Sequence, residues 1–353
     1  MNRVFNSRML VRARKSRGYT QTSLAKRAKI TQGKVSKIED DLSSPTDEDI
    51  RLFARTLEYP EEFFYQPDRI ELATSTFFRK RARLPTKLFD QAEARRSILA
   101  AQVQELFKRI DRPESIIPRL DPEDYQGGAI EISHKIRDIL GIPNGPLKDL
   151  SSRLERAGVV IIPFDFGTDK VDGCTSRLDD GSPLIFMNLN VPPDRSLRTL
   201  AHELGHIVMH NIPRDPAQEE NEADEFASEL LMPEDEIKRS FIPAKLETFA
   251  RLKLKWGTSM SSLIMRARDV GAINDSVYKN LMMAMGRKGY RKNEPHSDRL
   301  PKITPRIIPQ VIRLHRCSLD YTVEEMAKIL FCKTEEYLEV FEDEPERPKL
   351  KLL

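Results

Sequence analysis

The chain has 353 residues, a net charge of +3, 39% hydrophobic residues and three cysteines. This length predicts two or three domains, and the lack of an apolar run of 18 residues argues against a membrane span. Cys174, Cys317 and Cys332 are widely spaced and form no metal-binding pattern. With no signal peptide in view, they favour a reducing compartment and a cytoplasmic protein.

The first 38 residues contain eleven Lys or Arg and no Asp or Glu. Such a stretch is typical of a disordered tail or of a nucleic-acid-binding surface. The apolar spacing excludes the tail, because it predicts three short helices separated by Gly18-Tyr19-Thr20 and by Ile30-Thr31. This is the helix-turn-helix arrangement, with Thr31 as the N-cap of the third helix. The alternative is a small helical domain whose basic face is only solvated.

Residues 6–66 resemble the XRE-type (lambda-repressor-like) DNA-binding domains. The resemblance is carried by Arg14, Gly18-Tyr19-Thr20-Gln21, Leu24-Ala25, Val35-Ser36, Ile38-Glu39, Ile50, Phe53-Ala54, Leu57 and the segment 60–64. It implies that the third helix enters the major groove of double-stranded DNA and that the protein binds two half-sites as a homodimer.

By the same resemblance, Gln32 and Lys37 would face base edges, while Gln21 and Lys34 would contact phosphates. Ser36 lies on the same predicted helix and completes the expected DNA-binding set. Gly33 stands where family members often carry a second polar residue that reads a base, so one base contact is expected to be missing.

The middle of the chain begins with a basic and aromatic segment at 74–83. A long helix is predicted at 86–110, with an apolar stripe that favours a core position over a coiled coil. Short strands are then predicted at 159–163, 172–177 and 183–188, from apolar and β-branched runs between turn residues.

Residues 202–206 read His-Glu-Leu-Gly-His within an apolar helical stretch. His202 and His206, four residues apart, share one helix face and can bind one Zn²⁺. Glu203 would lie beside the open coordination position, where a carboxylate can take a proton from water. The alternative is a surface helix with two incidental histidines, which the apolar neighbours Leu204 and Ile207 disfavour.

A third ligand is expected from residues 219–233, where apolar positions at helical spacing predict a helix with one buried face. Glu222 is predicted to point inward and to bind the metal, with Glu219 as the second choice. Glu220, Glu225 and Glu229 are expected to be solvated. His210 lies about 12 Å along the helix axis from His202 and is expected only at the helix end or behind the ligands.

The His-Glu-x-x-His helix and the segment 222–233 resemble the ImmA/IrrE family of zinc metallopeptidases, over roughly 120–295. The resemblance implies one Zn²⁺ per chain on His202, His206 and Glu222, with Glu203 as the general base. An exposed strand edge near the zinc could hold an extended substrate by backbone pairing. The residues of that edge are Gly173, Cys174, Thr175, Ser176 and Arg177.

Beyond the zinc segment, 235–290 is predicted to be helical. The region 293–309 contains four prolines and is expected to be a linker or an extended arm. Residues 304–341 are predicted to form a small helical module, because Tyr321-Thr322-Val323-Glu324-Glu325 is typical of a capped helix start.

The predicted fold is multidomain and mainly α, with an α+β zincin-like core. It combines an N-terminal helix-turn-helix bundle, a small β-sheet packed on the His-Glu-x-x-His helix and a helical C-terminal region. The expected domains are the helix-turn-helix domain at 1–68, a linker with the long helix at 69–118, the metallopeptidase domain with its helical tail at 119–292 and the C-terminal linker and module at 293–353.

The expected function is transcriptional regulation by a DNA-binding zinc endopeptidase. Its protein substrate would be a repressor or partner in a stress, phage or toxin-antitoxin circuit. One alternative is a non-proteolytic repressor or antitoxin that uses the zinc domain as a sensor or scaffold, which Glu203 disfavours because a structural zinc site needs no base. The other is a constitutive peptidase whose basic domain only binds partners, which the acid-free helix-turn-helix disfavours.

Overall fold

The computed structural model describes the chain apart from its termini and a few connecting segments. The described residues are 4–67, 85–108, 110, 114–147, 149–212 and 214–342. The basic and aromatic segment 74–83 lies outside them. The chain divides into two compact units: a first unit of 1–112, 178–180 and 306–353, and a second unit of 113–177 and 181–305. Among the described residues, no helix has the length and apolar character needed to cross a membrane.

The first unit begins with four short helices and a 3-10 helix. They are α1 (Ser7–Ser16), α2 (Gln21–Ala28), α3 (Gln32–Glu39), α4 (Asp47–Leu57) and the 3-10 helix Glu61–Tyr65. The Thr31 side chain accepts a hydrogen bond from the Lys34 N–H, which confirms it as the N-cap of α3. Leu10, Leu24, Val35 and Phe53 lie in the core of this bundle. The predicted helix-turn-helix arrangement is therefore confirmed.

The long helix of the middle region is α5 (Thr86–Phe107), which packs against α1. Its predicted stripe is buried, including Ala92, Leu99 and Val103, so this helix belongs to the core of the first unit. Arg96 interrupts the stripe and is itself buried, with its guanidinium 2.7 Å from the Glu93 carboxylate.

The second unit begins with two helices, and a three-stranded sheet follows them in the chain. The helices are α6 (Gly128–Ile139) and α7 (Leu150–Arg156), and the strands are β1 (Val160–Pro163), β2 (Gly173–Arg177) and β3 (Pro183–Met187). The strand order is β1-β3-β2. β1 runs parallel to β3, with Val160 opposite Leu184, and β2 runs antiparallel, with Cys174 opposite Phe186. The central strand β3 is buried along its whole length, whereas β2 is an outer strand.

The next two helices, α8 (Pro193–Met209) and α9 (Pro216–Leu231), pack against each other. β2 and β3 lie against α8, because its apolar face, which includes Leu200, Leu204 and Val208, enters the core of the second unit. The predicted small sheet on the His-Glu-x-x-His helix is therefore confirmed. The remaining helices of this unit are α10 (Glu234–Ile237), α11 (Leu246–Trp256), α12 (Met260–Asp269) and α13 (Asp275–Arg287).

The chain then returns to the first unit with α14 (Ile307–Ser318), α15 (Val323–Ile329) and α16 (Thr334–Phe341). Thr322 and Glu325 form the predicted capping box of α15. This C-terminal module contacts the N-terminal helices directly. Gln102 of α5 donates a hydrogen bond to the Leu330 carbonyl at 3.0 Å, and Arg17 lies 2.9 Å from the Glu336 carboxylate.

A buried lysine joins the start of α8 to the segment that follows α13. The Lys253 ammonium is fully buried and lies 2.7 Å from Asp194 and 2.9 Å from Glu294. It also donates to the Ser297 hydroxyl at 2.7 Å. The Glu294 carboxylate in turn accepts hydrogen bonds from the backbone N–H groups of Met260 and Ser261 at the start of α12. The start of the region expected to be a linker or an extended arm is thus anchored to the second unit through Glu294 and Ser297.

Replacing Lys253 with Met should lower the free energy of unfolding of the second unit by about 3–5 kcal/mol. The reason is that the buried carboxylate of Asp194 and the half-buried carboxylate of Glu294 would lose their counter-charge. Trp256 is the sole tryptophan of the chain and lies in α11, so its fluorescence during urea unfolding reports on this unit. The exposed Arg251 on the same helix is the control, since Arg251→Met should change stability by less than about 0.5 kcal/mol. Equal effects of the two substitutions would contradict a stabilising ion cluster.

Candidate metal site and DNA-binding surface

Helix α8 carries the two histidines and the glutamate of the motif, with His202 and Glu203 buried and His206 half-buried. Pro193 occupies the first turn of α8, where a backbone N–H would have no partner within the helix, so its absence costs nothing. The negative charge of Asp194 in the same turn interacts favourably with the positive end of the helix dipole. The exposed fraction is only 2% for His202 and 3% for Glu203. Buried polar side chains require partners, so their surroundings indicate what the site can hold.

The two Nε2 atoms of His202 and His206 lie 3.0 Å apart. The Glu220 carboxylate of α9 lies 3.6 Å from His202 Nε2 and 3.5 Å from His206 Nε2. Ligands about 2.1 Å from a tetrahedral zinc are separated by about 3.4 Å, so these three donors have the spacing of one face of a zinc site. Among the described residues, this is the group of three or more His, Cys, Asp or Glu side chains arranged to hold a metal ion.

The carboxylate beside the histidines therefore differs from the one expected. Glu222, the predicted third ligand, has its carboxylate 3.0 Å from His210 Nε2 and accepts a second hydrogen bond from Gln218. Glu219, the second choice, is fully buried and accepts the Arg214 N–H at 2.7 Å. Glu220, expected to be solvated, has a side chain only 29% exposed and occupies the position assigned to Glu222.

Two other expectations for this helix have different outcomes. Glu225 is exposed, as predicted. Glu229 is buried, because its carboxylate pairs with Arg266 and also contacts His134 Nε2 at 2.8 Å, so the expectation that it is solvated is wrong. His210 forms the C-cap of α8, and burial together with the charge of His206 lowers its pKa in spite of the opposing hydrogen bond to Glu222.

Glu203 is held between α8 and the first residue of β2. A Cβ atom at Gly173 would lie 3.3 Å from Glu203 Oε1 and only 2.8 Å from Thr199 Cγ2. Only glycine allows this close approach of strand and helix without displacing a neighbour. The carboxylate adjacent to His202 therefore faces the outer strand β2.

The five residues of the expected substrate edge form β2 itself. Thr175 and Ser176 are buried, while Gly173, Cys174 and Arg177 are partly exposed. The Arg177 guanidinium donates to the Ile207 carbonyl at 2.9 Å and to the Asn211 side chain at 2.8 Å. Burial, with a smaller effect of Arg119, lowers the pKa of Arg177 to about 10. Arg177 thus ties β2 to the end of α8.

In the first unit, the expected DNA-contacting side chains surround α3. Gln32 and Lys37 are exposed. Gln32 donates to the Gln21 side chain at 2.9 Å, and Gln21 donates to the Glu39 carboxylate at 2.8 Å. Arg14 closes this chain through an ion pair with Glu39 at 2.6 Å. The network holds Gln21 and Gln32 in fixed positions at the start of α2 and α3.

Lys34 and Ser36 have acidic partners on the same surface. The Lys34 ammonium lies 2.6 Å from Asp49, and the Ser36 hydroxyl donates to Asp40 at 3.1 Å. Burial alone would raise the pKa of Asp49, but hydrogen bonds from Lys34 and Thr46 outweigh burial and lower it. A phosphate approaching Lys34 would therefore share the ammonium with Asp49.

Two family models match the chain. The helix-turn-helix model matches residues 10–64, and a peptidase model described as the IrrE N-terminal-like domain matches residues 154–268. No curated protein matches the chain. The protein is therefore a DNA-binding regulator with a metallopeptidase-like domain. More specifically, it joins an XRE-type helix-turn-helix domain to an IrrE-like domain, as the sequence resemblances predicted.

Gly173→Ala should destabilise the second unit by about 1–3 kcal/mol, because the added methyl overlaps with Thr199 and Glu203. Adding Thr199→Ser removes the overlapping Cγ2 methyl and should recover part of this loss. Urea unfolding followed by Trp256 fluorescence measures both variants. Gly286→Ala is the matched control, since its nearest neighbour would be the Arg291 side chain at 3.5 Å. A double variant no more stable than Gly173→Ala would show that Thr199 does not limit the approach.

Proposed function

We propose that the protein is a transcriptional regulator whose IrrE-like domain is a zinc-dependent endopeptidase. Its substrate would be a repressor or partner protein in a stress, phage or toxin-antitoxin circuit. The observation that carries the proposal is the spacing of His202, His206 and Glu220, which fits one face of a tetrahedral zinc site, together with the buried carboxylate of Glu203, the residue that follows His202 on α8. A structural metal site has no use for a carboxylate in that position.

His202, His206 and Glu220 would hold one zinc ion per chain and leave one coordination position open. The resemblance-based alternative, Glu222, would have to give up its contact with His210. When bound, zinc supplies a Lewis acid that polarises a carbonyl and lowers the pKa of water. Glu203 takes the proton of the attacking water and then donates it to the leaving amine. Its burial against Gly173 keeps that proton away from bulk solvent.

The outer strand β2 would bind the substrate as an extended segment, by adding a strand to the sheet. Gly173 sets the distance between this strand and Glu203, so a peptide paired along β2 would pass the catalytic carboxylate. Cys174, Thr175 and Ser176 would contribute to that edge, while Arg177 would hold the strand against α8 through Ile207. An extended segment fits this edge better than a folded surface does, which favours flexible linkers as cleavage sites.

Glu203→Gln should retain the metal and the fold but lower peptide cleavage by at least about 100-fold, because the general acid-base group is removed. The measurement pairs metal content with cleavage of candidate partners, detected by comparing cleaved proteins in cells with and without the substitution. Glu225→Gln, an exposed carboxylate on α9, is the control. If the wild-type protein cleaves no partner in a zinc-dependent manner and Glu203→Gln cells behave normally, the zinc domain acts as a sensor or scaffold instead.

For DNA binding, we propose that the protein binds two half-sites as a homodimer. Gln32 and Lys37 would read base edges, and Gln21, Lys34 and Ser36 would contact the sugar-phosphate backbone of the DNA. Two observations support this proposal: Gln32 and Lys37 are exposed on α3, and hydrogen bonds link Gln32 to Gln21 and Gln21 to Glu39. Lys34 is shared with Asp49, so its contribution to phosphate binding should be smaller than that of an unpaired lysine.

Gln32→Ala and Lys37→Ala should relax sequence preference, at about 1–3 kcal/mol for each lost base contact. Lys34→Ala should instead weaken binding to specific and random DNA alike, and should reduce the salt dependence by no more than about one phosphate contact. Titrations of the full-length protein with specific and random duplexes at several salt concentrations measure these effects. Equal weakening on both duplexes for all three variants would mean that α3 is not the recognition helix.

A further inference from the structure

Each histidine of the candidate metal site has a second partner on the ring nitrogen that faces away from Glu220. We propose that Asp224 positions His202 and that a relay of His210 and Glu222 positions His206, so that both Nε2 atoms point to one place. Glu222 then belongs to the site as the end of a relay and not as a ligand. This inference rests on the proposed function for the metal site.

Asp224 supports the first histidine. Its carboxylate lies 2.9 Å from His202 Nδ1 and 3.0 Å from the Arg198 guanidinium. Arg198 precedes His202 by one turn on α8, and its guanidinium contacts the same Asp224 oxygen that lies at His202 Nδ1. A carboxylate at Nδ1 selects the tautomer with the proton on Nδ1, which leaves the Nε2 lone pair for a metal.

The second histidine has a longer chain of partners. His206 Nδ1 lies 2.8 Å from His210 Nδ1, and His210 Nε2 lies 3.0 Å from Glu222. Because the carboxylate accepts a hydrogen bond, neutral His210 carries its proton on Nε2 and accepts at Nδ1. His206 must then donate from Nδ1, which again leaves its Nε2 lone pair for the metal. The hydrogen bonds fix both tautomers without any change of charge.

The positions of these residues make the relay rigid. His210 is the C-cap of α8, where the helix ends and the imidazole can turn back toward His206. Its side chain is 3% exposed and that of Glu222 is 15% exposed, so water has little access to either bond. Gln218, one turn before Glu222 on α9, donates to the other oxygen of the carboxylate at 2.8 Å. Asp224 is 52% exposed, so the two arms differ in solvent access.

The test measures zinc affinity of the full-length protein by competition with a chelator of known affinity. Glu222→Ala and Asp224→Ala should each raise the dissociation constant about 10–100-fold, the usual effect of removing a group that orients a metal ligand. Glu222→Gln and Asp224→Asn keep an acceptor oxygen and should stay within a few fold of wild type. Glu225→Ala, on the same helix but exposed, should not change the affinity.

Cobalt substitution separates a ligand from a positioning residue, because the visible absorption of Co²⁺ depends on the atoms bound to it. At saturating cobalt, Glu222→Ala and Glu222→Gln should give the wild-type spectrum, whereas Glu220→Gln should change it. A changed spectrum in Glu222→Gln would make Glu222 a ligand and overturn the relay. Unchanged zinc affinity in Glu222→Ala would also overturn it. A third outcome is metal binding as expected in a protein that cleaves no peptide. That outcome would support the relay and contradict the proposed endopeptidase activity.

Discussion

The close crossing of α8 and α9 at Gly205 is the constraint on which the metal site depends. A Cβ atom at Gly205 would lie 3.1 Å from Phe226 Cδ1 and 3.3 Å from the backbone of Ala223, so the helices meet with little between them. Glu220 lies one turn before Ala223 on α9, and Asp224 is the residue directly after Ala223. The same crossing therefore brings a candidate ligand to both histidines and a hydrogen-bond acceptor to His202.

The sequence predicts the helices themselves, but it does not predict contacts that depend on the angle at which α8 and α9 cross. At 100° per residue, the apolar stripe of α9 formed by Ala223, Phe226, Ala227 and Leu230 has Glu220 about 70° to one side of its centre and Glu222 about 90° to the other. Both glutamates border the buried face, and only the neighbouring helix decides which border meets the histidines. Glu219 lies within about 30° of the centre, which explains why it is buried without joining the cluster.

Elsewhere the same division holds. Thr31 and Thr322 were predictable as N-caps because a cap involves residues three positions apart. The His-Glu-x-x-His helix, the three strands and the long helix were predictable from their periodicity. The partner of Lys34 was not, because Asp49 lies on another helix, and neither was the anchoring of Glu294 to Lys253. Pairs of charged residues distant in the sequence leave no periodic signal.

The return of residues 306–342 to the N-terminal unit has a consequence for synthesis on the ribosome. The helices α1 to α5 emerge before the IrrE-like domain, yet the hydrogen bond between Gln102 and Leu330 and the ion pair between Arg17 and Glu336 need residues that emerge after it. The inserted IrrE-like domain can therefore complete its own folding before the DNA-binding unit is fully packed. Nascent chains would acquire a finished metallopeptidase-like domain while their DNA-binding unit still lacks its C-terminal helices.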